Sequence, residues 1–478
     1  MSGNGRLGWP PPPPVPPRGP FPPGAAAGVP PGRALPGRAE APPGEHGLAG
    51  LRGTGLRAAV LEVFRSFTDE LPRAATRDQA APLAASIAGA HAAARVTRGG
   101  SMLSAADQDR LARALLDEQF GLGPLQPYAD DDDIENLDLN GPGIVWARRR
   151  GGRKTREDPI AASNEDLIAL VRTWGVRDTQ TRREFSEARP LLNGGLGSMV
   201  RLSAVMSVTP DVHVSVRFHR LTQVTLAGLA APPSLAISPV LSPELAHFLE
   251  ACVRAHLNIL VTGGVDAGKT TLLRALCAAI DPGERVATLE SDRELFLDLL
   301  GQHLDVVPFE ARQANSEGAG AIDLHDLIPQ ALRMNPRRII VGEVRDQEIR
   351  PMLEAMNSGQ EGSMATLHAN SAAEVFGRIL MLAQRGQMAM SSDAIHLAIG
   401  LSRPIVVHIR KDRDGTARYI SEVIEVLPPA DGIQPSRNRV FAPGIDGRAV
   451  PAHSLSPETM GALIDAGLNP GVLTGSLR

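Results

Sequence analysis

The sequence predicts an α/β protein built on a mainly parallel sheet that is covered by helices. Between residues 259 and 384, short apolar runs typical of strands alternate with longer stretches of helical periodicity. Such alternation favours parallel strands, because each crossover between them needs a helix. A proline-rich joint at residues 232–243 precedes this region, and the mixture of short strands and helices before the joint predicts a separate α+β domain.

Shifts in composition and periodicity divide the 478 residues further. From Trp9 to Gly44 the chain is dominated by proline, glycine and alanine, with too little apolar surface to offset the entropy of ordering. The predicted segments are a disordered Pro/Gly-rich arm (1–50), a helical segment (51–115), an α+β N-terminal domain (116–231), a linker (232–243), the main α/β domain (244–426) and a C-terminal tail with one short helix (427–478).

Composition narrows the classes of function. The formal net charge is -4 and aromatic residues make up 3%, so neither a basic surface nor stacking platforms recommend a nucleic-acid partner. Two cysteines, Cys252 and Cys277, are too few for a disulfide framework and predict a reducing, cytoplasmic compartment. We find no apolar run of membrane-spanning length, so we expect no direct insertion and contact with a membrane only through a partner protein.

One motif has a specific chemistry. Gly263, four further residues and then Gly268-Lys269-Thr270 match the pattern G-x-x-x-x-G-K-[ST], in which backbone N–H groups wrap nucleotide phosphates at a helix N-terminus. An apolar strand enters the motif and an apolar helix leaves it, as this chemistry requires. Lys269 is expected to reach the β- and γ-phosphates, and the Thr270 hydroxyl to bind Mg²⁺. The predicted nucleotide-binding residues, here called the phosphate loop, are Gly263, Gly264, Val265, Asp266, Ala267, Gly268, Lys269, Thr270 and Thr271.

Asp266 is unusual inside such a loop, where glycine is common. Its carboxylate brings a negative charge towards an anionic ligand, which predicts weaker nucleotide binding. The string from Val265 to Lys269 nevertheless resembles the loop of translation GTPases, where an aspartate is compatible with turnover. We therefore expect the loop to bind nucleotide.

Glutamates stand where two predicted strands end. Glu343 closes the strand Arg338–Glu343, and Glu290 closes another, with Glu294 about one helical turn later. Parallel sheets hold their ligands at the carboxyl ends of the strands, so these carboxylates are expected to meet beside the phosphate loop. Carboxylates there can hold Mg²⁺ or orient an attacking water, and Glu343 with Thr270 is the predicted metal-binding pair.

A longer string of residues is identified as characteristic of a known family. The segments Ala331–Pro336, Ile340–Arg345 and Gly362–Asn370 closely resemble the type II/type IV secretion ATPase family, and within it the CpaF-like branch that powers Tad/Flp-type pilus assembly. The resemblance covers roughly Leu116 to Val426. It implies a RecA-like phosphate-loop domain, joined flexibly to the N-terminal domain and assembled as a ring hexamer.

The resemblance also implies roles for individual residues. Glu290 and Glu294 match the family's aspartate box, and Glu343 matches the Walker B position. His368 matches the histidine box that senses the γ-phosphate. Arg201 and Arg217 match arginines of the N-terminal domain that face the nucleotide across a domain or subunit junction.

Three functions are compatible with these residues. The first is a hexameric motor that hydrolyses ATP with Mg²⁺ and works on a polytopic inner-membrane platform protein. The second is a nucleotide-binding scaffold with weak turnover, suggested by Asp266 and by Ser291, which stands where the family usually has aspartate. The third is a DNA-transfer motor, which the charge and the scarcity of aromatic residues disfavour.

Overall fold

The computed structural model describes residues 51–177, 184–197, 199–220, 223–231, 239–312, 314, 318–357, 359, 361–385, 390–412, 414, 417–430 and 432–473. The predicted disordered arm, residues 1–50, lies outside the described residues, as does most of the predicted linker. Among the helices described, none combines the length and apolar character that crossing a bilayer requires.

The helices are α1 (Gly53–Glu70), α2 (Arg77–Thr97), α3 (Ala105–Phe120), α4 (Gln126–Asp130), α5 (Asn164–Val176), α6 (Leu226–Ala230), α7 (Pro243–Arg254), α8 (Lys269–Cys277), α9 (Leu324–Leu332), α10 (Ile349–Asn357), α11 (Val375–Ala383), α12 (Ser392–Ser402) and α13 (Pro457–Asp465). The strands are β1 (Ile134–Asn140), β2 (Val145–Arg149), β3 (Lys154–Glu157), β4 (Leu191–Leu196), β5 (Val200–Val205), β6 (His213–Phe218), β7 (Ile259–Gly263), β8 (Arg285–Glu290), β9 (Asp305–Glu310), β10 (Arg338–Val344), β11 (Met364–His368), β12 (Ile405–Lys411), β13 (Arg418–Leu427), β14 (Ser436–Pro443) and β15 (Ala449–Pro451).

Helices α1 to α3 form a bundle of their own. They pack around a core that includes Phe67, Ala84, Leu111 and Leu115. The side chain of Thr76 accepts from the backbone N–H of the third residue of α2, completing a capping box that begins the helix there. The predicted helical segment thus has an apolar core that holds it together.

The next unit is a six-stranded antiparallel sheet in the order β3-β2-β1-β6-β5-β4. Helix α5 covers one face, where Trp174 joins the core. Along β6 the buried residues Val214 and Val216 alternate with the exposed Ser215 and Arg217, because successive side chains of a strand point to opposite faces. The face opposite the core is therefore polar and carries Arg217.

The larger sheet has nine strands in the order β15-β14-β13-β12-β7-β11-β10-β8-β9. Strands β12 to β9 of this order run parallel, and β13 to β15 extend them antiparallel. Every residue of β7 is buried, as expected for a strand covered on both faces. Two apolar clusters lie on the two faces, so the predicted α/β fold is confirmed.

The end of the chain differs from the sequence-based expectation. Residues 427–478 were expected to form a tail with one short helix; the helix is α13, but β14 and β15 also join the large sheet. Phe441 of β14 packs against Phe248 with ring centroids 5.2 Å apart. Strand β14 was not predicted because it lacks the alternation of apolar and polar residues typical of a strand. It is largely polar, and Val440 and Phe441 are its two buried residues.

Candidate functional site

The phosphate loop joins β7 to α8, and two of its glycines are required by geometry. Gly268 has a φ of 97°, in the left-handed region, where it caps α8. At Gly263 a Cβ atom would lie 2.5 Å from the carbonyl oxygen of Ile409. Lys269 donates from Nζ to the carbonyl oxygens of Gly263 and Gly264, at 3.2 and 2.8 Å. The loop and its lysine therefore have the local geometry that the motif predicts.

The charge on Lys269 depends on its surroundings. Partial burial lowers the pKa of its ammonium group, and the carboxylates of Glu343 and Asp266 oppose that shift. Phosphate oxygens beside the ammonium would also favour its charged form, because an opposite charge stabilises an ion. A nucleotide and a charged Lys269 therefore stabilise each other.

Asp266 adopts a backbone conformation that explains why glycine is common at its position. Its φ is 55°, in the left-handed region, which aspartate tolerates better than most side chains do. Arg418 donates from Nε to the carbonyl oxygen of Asp266 at 3.1 Å. The side chain of Asp266 is exposed, so water screens part of its charge. Asp266 thus combines an unfavourable backbone conformation with an unfavourable charge.

The predicted strand-end glutamates do meet beside the loop. Strands β8 and β10 are parallel neighbours, so Glu290 and Glu343 end on the same edge of the sheet. Together with Thr270, Asp292 and Glu294 they line one open cleft. The cleft thus gathers the Thr270 hydroxyl and four carboxylates beside the phosphate loop.

Glu290 is the most buried carboxylate of the cleft, with 2% of its surface exposed. Its Oε1 accepts from the backbone N–H groups of Glu294 and Leu295, at 2.9 and 3.0 Å. Burial raises the pKa of Glu290 to about 7. Gly342 lies against it, since a Cβ there would be 2.9 Å from Cγ of Glu290. The carboxyl group is therefore fixed in place and titrates close to neutral pH.

Glu343 is held differently. Arg345 donates from Nε to Glu343 Oε2 at 2.8 Å, and its terminal nitrogen lies 2.6 Å from the same oxygen. The buried hydroxyl of Thr366 donates to the carbonyl oxygen of Gly342 at 2.6 Å, which ties β10 to β11 just before Glu343. Arg345 was not among the predicted site residues. A cation two residues after a strand-end glutamate was the available signal.

The N-terminal sheet faces the cleft through two arginines that pair with acidic residues of the larger domain. Arg201 and Arg217 are register partners on β5 and β6, so they lie side by side on its polar face. Arg217 lies 3.2 Å from Glu294, and Arg201 lies 3.4 Å from Asp292 and also pairs with Glu310. Both predicted arginines thus reach the acidic cleft. Asp292 and Glu310 were not predicted, because no sequence signal indicates their pairing with an arginine on another sheet.

His368 is the last residue of β11, where its backbone is the register partner of Gly263. It is partly buried. Its position at the start of the phosphate loop is compatible with the role that the family resemblance implies.

The cleft offers oxygen donors, which are the ligands that Mg²⁺ prefers. The described residues contain no group of three or more histidine, cysteine or acidic side chains arranged to hold a metal ion. Nucleotide-bound Mg²⁺ needs only one or two protein ligands, because water and phosphate oxygens complete its shell. The Thr270 hydroxyl and the Glu343 carboxylate on one cleft fit that requirement.

Proteins of known family resemble this chain over the region that contains the cleft. The family model for "Type II/IV secretion system protein" matches residues 196–424. A Mycobacterium tuberculosis protein named for a proposed role in conjugal transfer is 34% identical over 328 residues, which is 67% of this chain and 88% of that protein. The type IV secretion system protein PtlH of Bordetella pertussis is 30% identical over 327 residues, 64% of this chain and 94% of PtlH.

VirB11 of the Brucella suis type IV secretion system is 29% identical over 326 residues, covering 64% of this chain and 89% of VirB11. These relatives are matched over 88% to 94% of their own length. The residues matched by the family model include the phosphate loop, Glu290, Glu343 and the histidine-box segment, Gly362–Asn370. The chain belongs to the type II/IV secretion system ATPase family, and its nine-stranded domain is the RecA-like ATPase domain of that family.

Proposed function

We propose that this chain is a cytoplasmic, ATP-hydrolysing motor that drives pilus assembly or protein secretion through a membrane-embedded platform protein. The observation that supports the proposal most strongly is the cleft in which Thr270 meets Glu290 and Glu343, with Lys269 close enough to Glu343 for the two charges to interact. The residues that match the Tad/Flp branch favour pilus assembly within that family.

Binding comes first in the proposed cycle. The N–H groups of the loop and the first turn of α8 would cradle the phosphates, which the partial positive charge of a helix N-terminus attracts. Lys269 would exchange its bonds to Gly263 and Gly264 for the β- and γ-phosphate oxygens. Thr270 and Glu343 would hold Mg²⁺, which when bound neutralises charge that develops on the phosphates.

Hydrolysis then needs a group that orients and deprotonates water. Glu343 would orient the attacking water after Arg345 releases its carboxylate. Glu290, whose pKa lies at about 7, is suited to accept or return a proton near neutral pH. Arg201 and Arg217 would stabilise the charge of the transition state, a contribution worth about 10³ to 10⁵ in rate when an arginine acts as a finger.

The motor would work as a ring of six copies. Because Arg201 and Arg217 belong to one sheet and Glu290 and Glu343 to another, a change in the bound nucleotide would alter the attraction between the two domains. Repeated hydrolysis would convert that alternation into domain movement, and the platform protein would receive the work.

The deciding experiment measures nucleotide binding and phosphate release on the purified protein. Lys269→Ala should abolish ATP and ADP binding, because the cradle loses its only lysine. Glu343→Gln should still bind ATP while turnover falls about 10² to 10⁴-fold, the range for loss of a positioned acid or base. Near-normal turnover by Glu343→Gln would refute its catalytic assignment. A wild-type chain that binds ATP but releases no phosphate would instead be the nucleotide-binding scaffold.

A DNA-transfer motor is the second candidate, and the name of the Mycobacterium tuberculosis relative favours it. Its signature would be ATP turnover that rises with added DNA and declines steeply with salt, since phosphate contacts release counterions. Turnover that is indifferent to DNA would leave pilus assembly or protein secretion as the function.

A further inference from the structure

A buried histidine connects the phosphate-loop strand to the segment that follows His368. His408 lies on β12, with 2% of its surface exposed, and its register partner on β7 is Thr262, the residue before Gly263. The Nδ1 atom of His408 is 2.8 Å from Oγ1 of Thr262. Both groups are buried, so water does not compete for this bond.

The backbone of Asn370, two residues beyond His368, also interacts with this ring and acts to raise its pKa. Strand β7 lies between β11 and β12 in the sheet. The chain that leaves β11 must therefore cross the carboxyl end of β7 to reach His408. This crossing carries the histidine-box segment over the base of the phosphate loop.

The bonding partners determine the state of the ring. Burial, together with the nearby cations Arg410 and Lys269, lowers the pKa of His408 to about 4, although Asn370 and Glu374 oppose the shift. A neutral imidazole has one N–H and one lone pair. The interaction with Asn370 favours the protonated ring, as an accepting carbonyl does, so we assign the N–H to Nε2 and the accepting role towards the Thr262 hydroxyl to Nδ1.

We propose that His408 is the positioning residue that sets His368 against the phosphate loop, so that the site distinguishes a nucleotide with a γ-phosphate from one without. The inference rests on the proposed function. Thr262 precedes the loop's first glycine, and Asn370 follows the histidine box, so a single ring spans the two motifs. Loss of the interaction with Asn370 would release the segment that follows His368, whereas Lys269 would keep its bonds to Gly263 and Gly264.

Two substitutions separate the two bonds. In His408→Asn the side-chain amide occupies the place of Nδ1, so it keeps Thr262 and loses Asn370. In His408→Gln the amide reaches the place of Nε2, so it keeps Asn370 and loses Thr262. Thr262→Val removes the hydroxyl at nearly unchanged volume, and His325→Asn, at an exposed position on α9, is the matched control.

The measurements are the dissociation constants of fluorescent ADP and of a non-hydrolysable ATP analogue, with melting temperature as a check on folding. His408→Asn should bind the ATP analogue about five- to tenfold more weakly, as expected for one lost hydrogen bond. Its affinity for ADP should change less than about twofold, on the same scale. Adding Thr262→Val should weaken the analogue further in His408→Asn and have little effect in His408→Gln.

Equal loss of ADP and ATP-analogue affinity in the His408 variants would overturn the proposal, because it would indicate a structural role for the whole loop. Unchanged binding of both nucleotides would overturn it as well. Failure of the proposed function is a separate result: it would appear as nucleotide binding that survives Lys269→Ala, whatever the His408 variants do.

Discussion

The two sides of the cleft are built in opposite ways. On the ATPase side, Glu290 is almost fully buried and accepts two backbone N–H groups, so its position is part of the fold. On the N-terminal side, Arg217 is 59% exposed and Arg201 is 23% exposed, and both reach the cleft through ion pairs. Exposed ion pairs contribute about 0 to 1 kcal/mol. The ATPase side is therefore rigid, whereas on the N-terminal side the ion pair of Arg217 can separate at little energetic cost. Arg201 is held more firmly, because its pair with Glu310 is part-buried.

The largest expected effect is on kcat and concerns Arg217, on the N-terminal side of the cleft. Arg217→Ala should lower kcat by about 10³-fold or more if the arginine acts as a finger. The melting temperature should hardly change, because the side chain is exposed. Steady-state phosphate release and thermal unfolding check the two halves of this prediction.

Arg148 offers a matched control, because it is an exposed arginine on β2 of the same sheet. Arg148→Ala should leave kcat near the wild-type value. If the two alanine variants lose activity equally, the loss reflects the charge of the sheet and not contact with the nucleotide.

The next effect concerns Glu290, on the ATPase side of the cleft, and the dependence of stability on pH. Burial raises the pKa of Glu290 from 4.5 to about 7, so the folded chain holds a proton that the unfolded chain releases. The contribution of Glu290 to the free energy of unfolding is present in full below pH 4.5 and is lost as pH rises through 7. At alkaline pH the loss amounts to about 3 kcal/mol.

Glu290→Gln cannot ionise, yet its side-chain oxygen can still accept both backbone N–H groups. Its free energy of unfolding should match that of the wild type near pH 5 and exceed it increasingly towards pH 9. Urea denaturation at the two pH values measures the difference. A constant difference across this range would mean that Glu290 titrates at its ordinary pKa.

The smallest effect concerns the phosphate loop itself. Asp266→Gly removes both a charge and a left-handed side chain. Loss of the charge should tighten ADP binding about three- to tenfold, on the order of 1 kcal/mol for a solvent-screened charge near the phosphates. Relief of the left-handed backbone, worth about 1 to 2 kcal/mol in ordinary residues, should instead raise the free energy of unfolding. Asp266→Asn removes only the charge and separates the two causes. Fluorescence titration with ADP gives both affinities. Weaker binding by Asp266→Gly would mean that the loop needs its carboxylate.

The same contrast explains what could be predicted from sequence. Lys269, Glu290 and Glu343 were found because each stands at a fixed place on a strand end or helix start, which local patterns reveal. Arg201 meets Glu310 across 109 residues and two sheets, so no local pattern indicates the pair. The His408 bonds depend in the same way on which strands are neighbours. The α/β class followed from periodicity, but β14 did not, because its burial comes from tertiary packing.

The C-terminal strands protect an edge of the large sheet from pairing with other chains. Strand β13 has seven consecutive buried residues, 420–426, of which Ile420, Val423, Ile424 and Val426 are apolar. Strand β14 occupies its outer edge, and the short β15 ends the sheet. A chain cut after residue 427 would present β13 as a long, unpaired edge, which is a template for edge-to-edge aggregation. The polar sequence of β14 thus shields a strand that would otherwise recruit other chains.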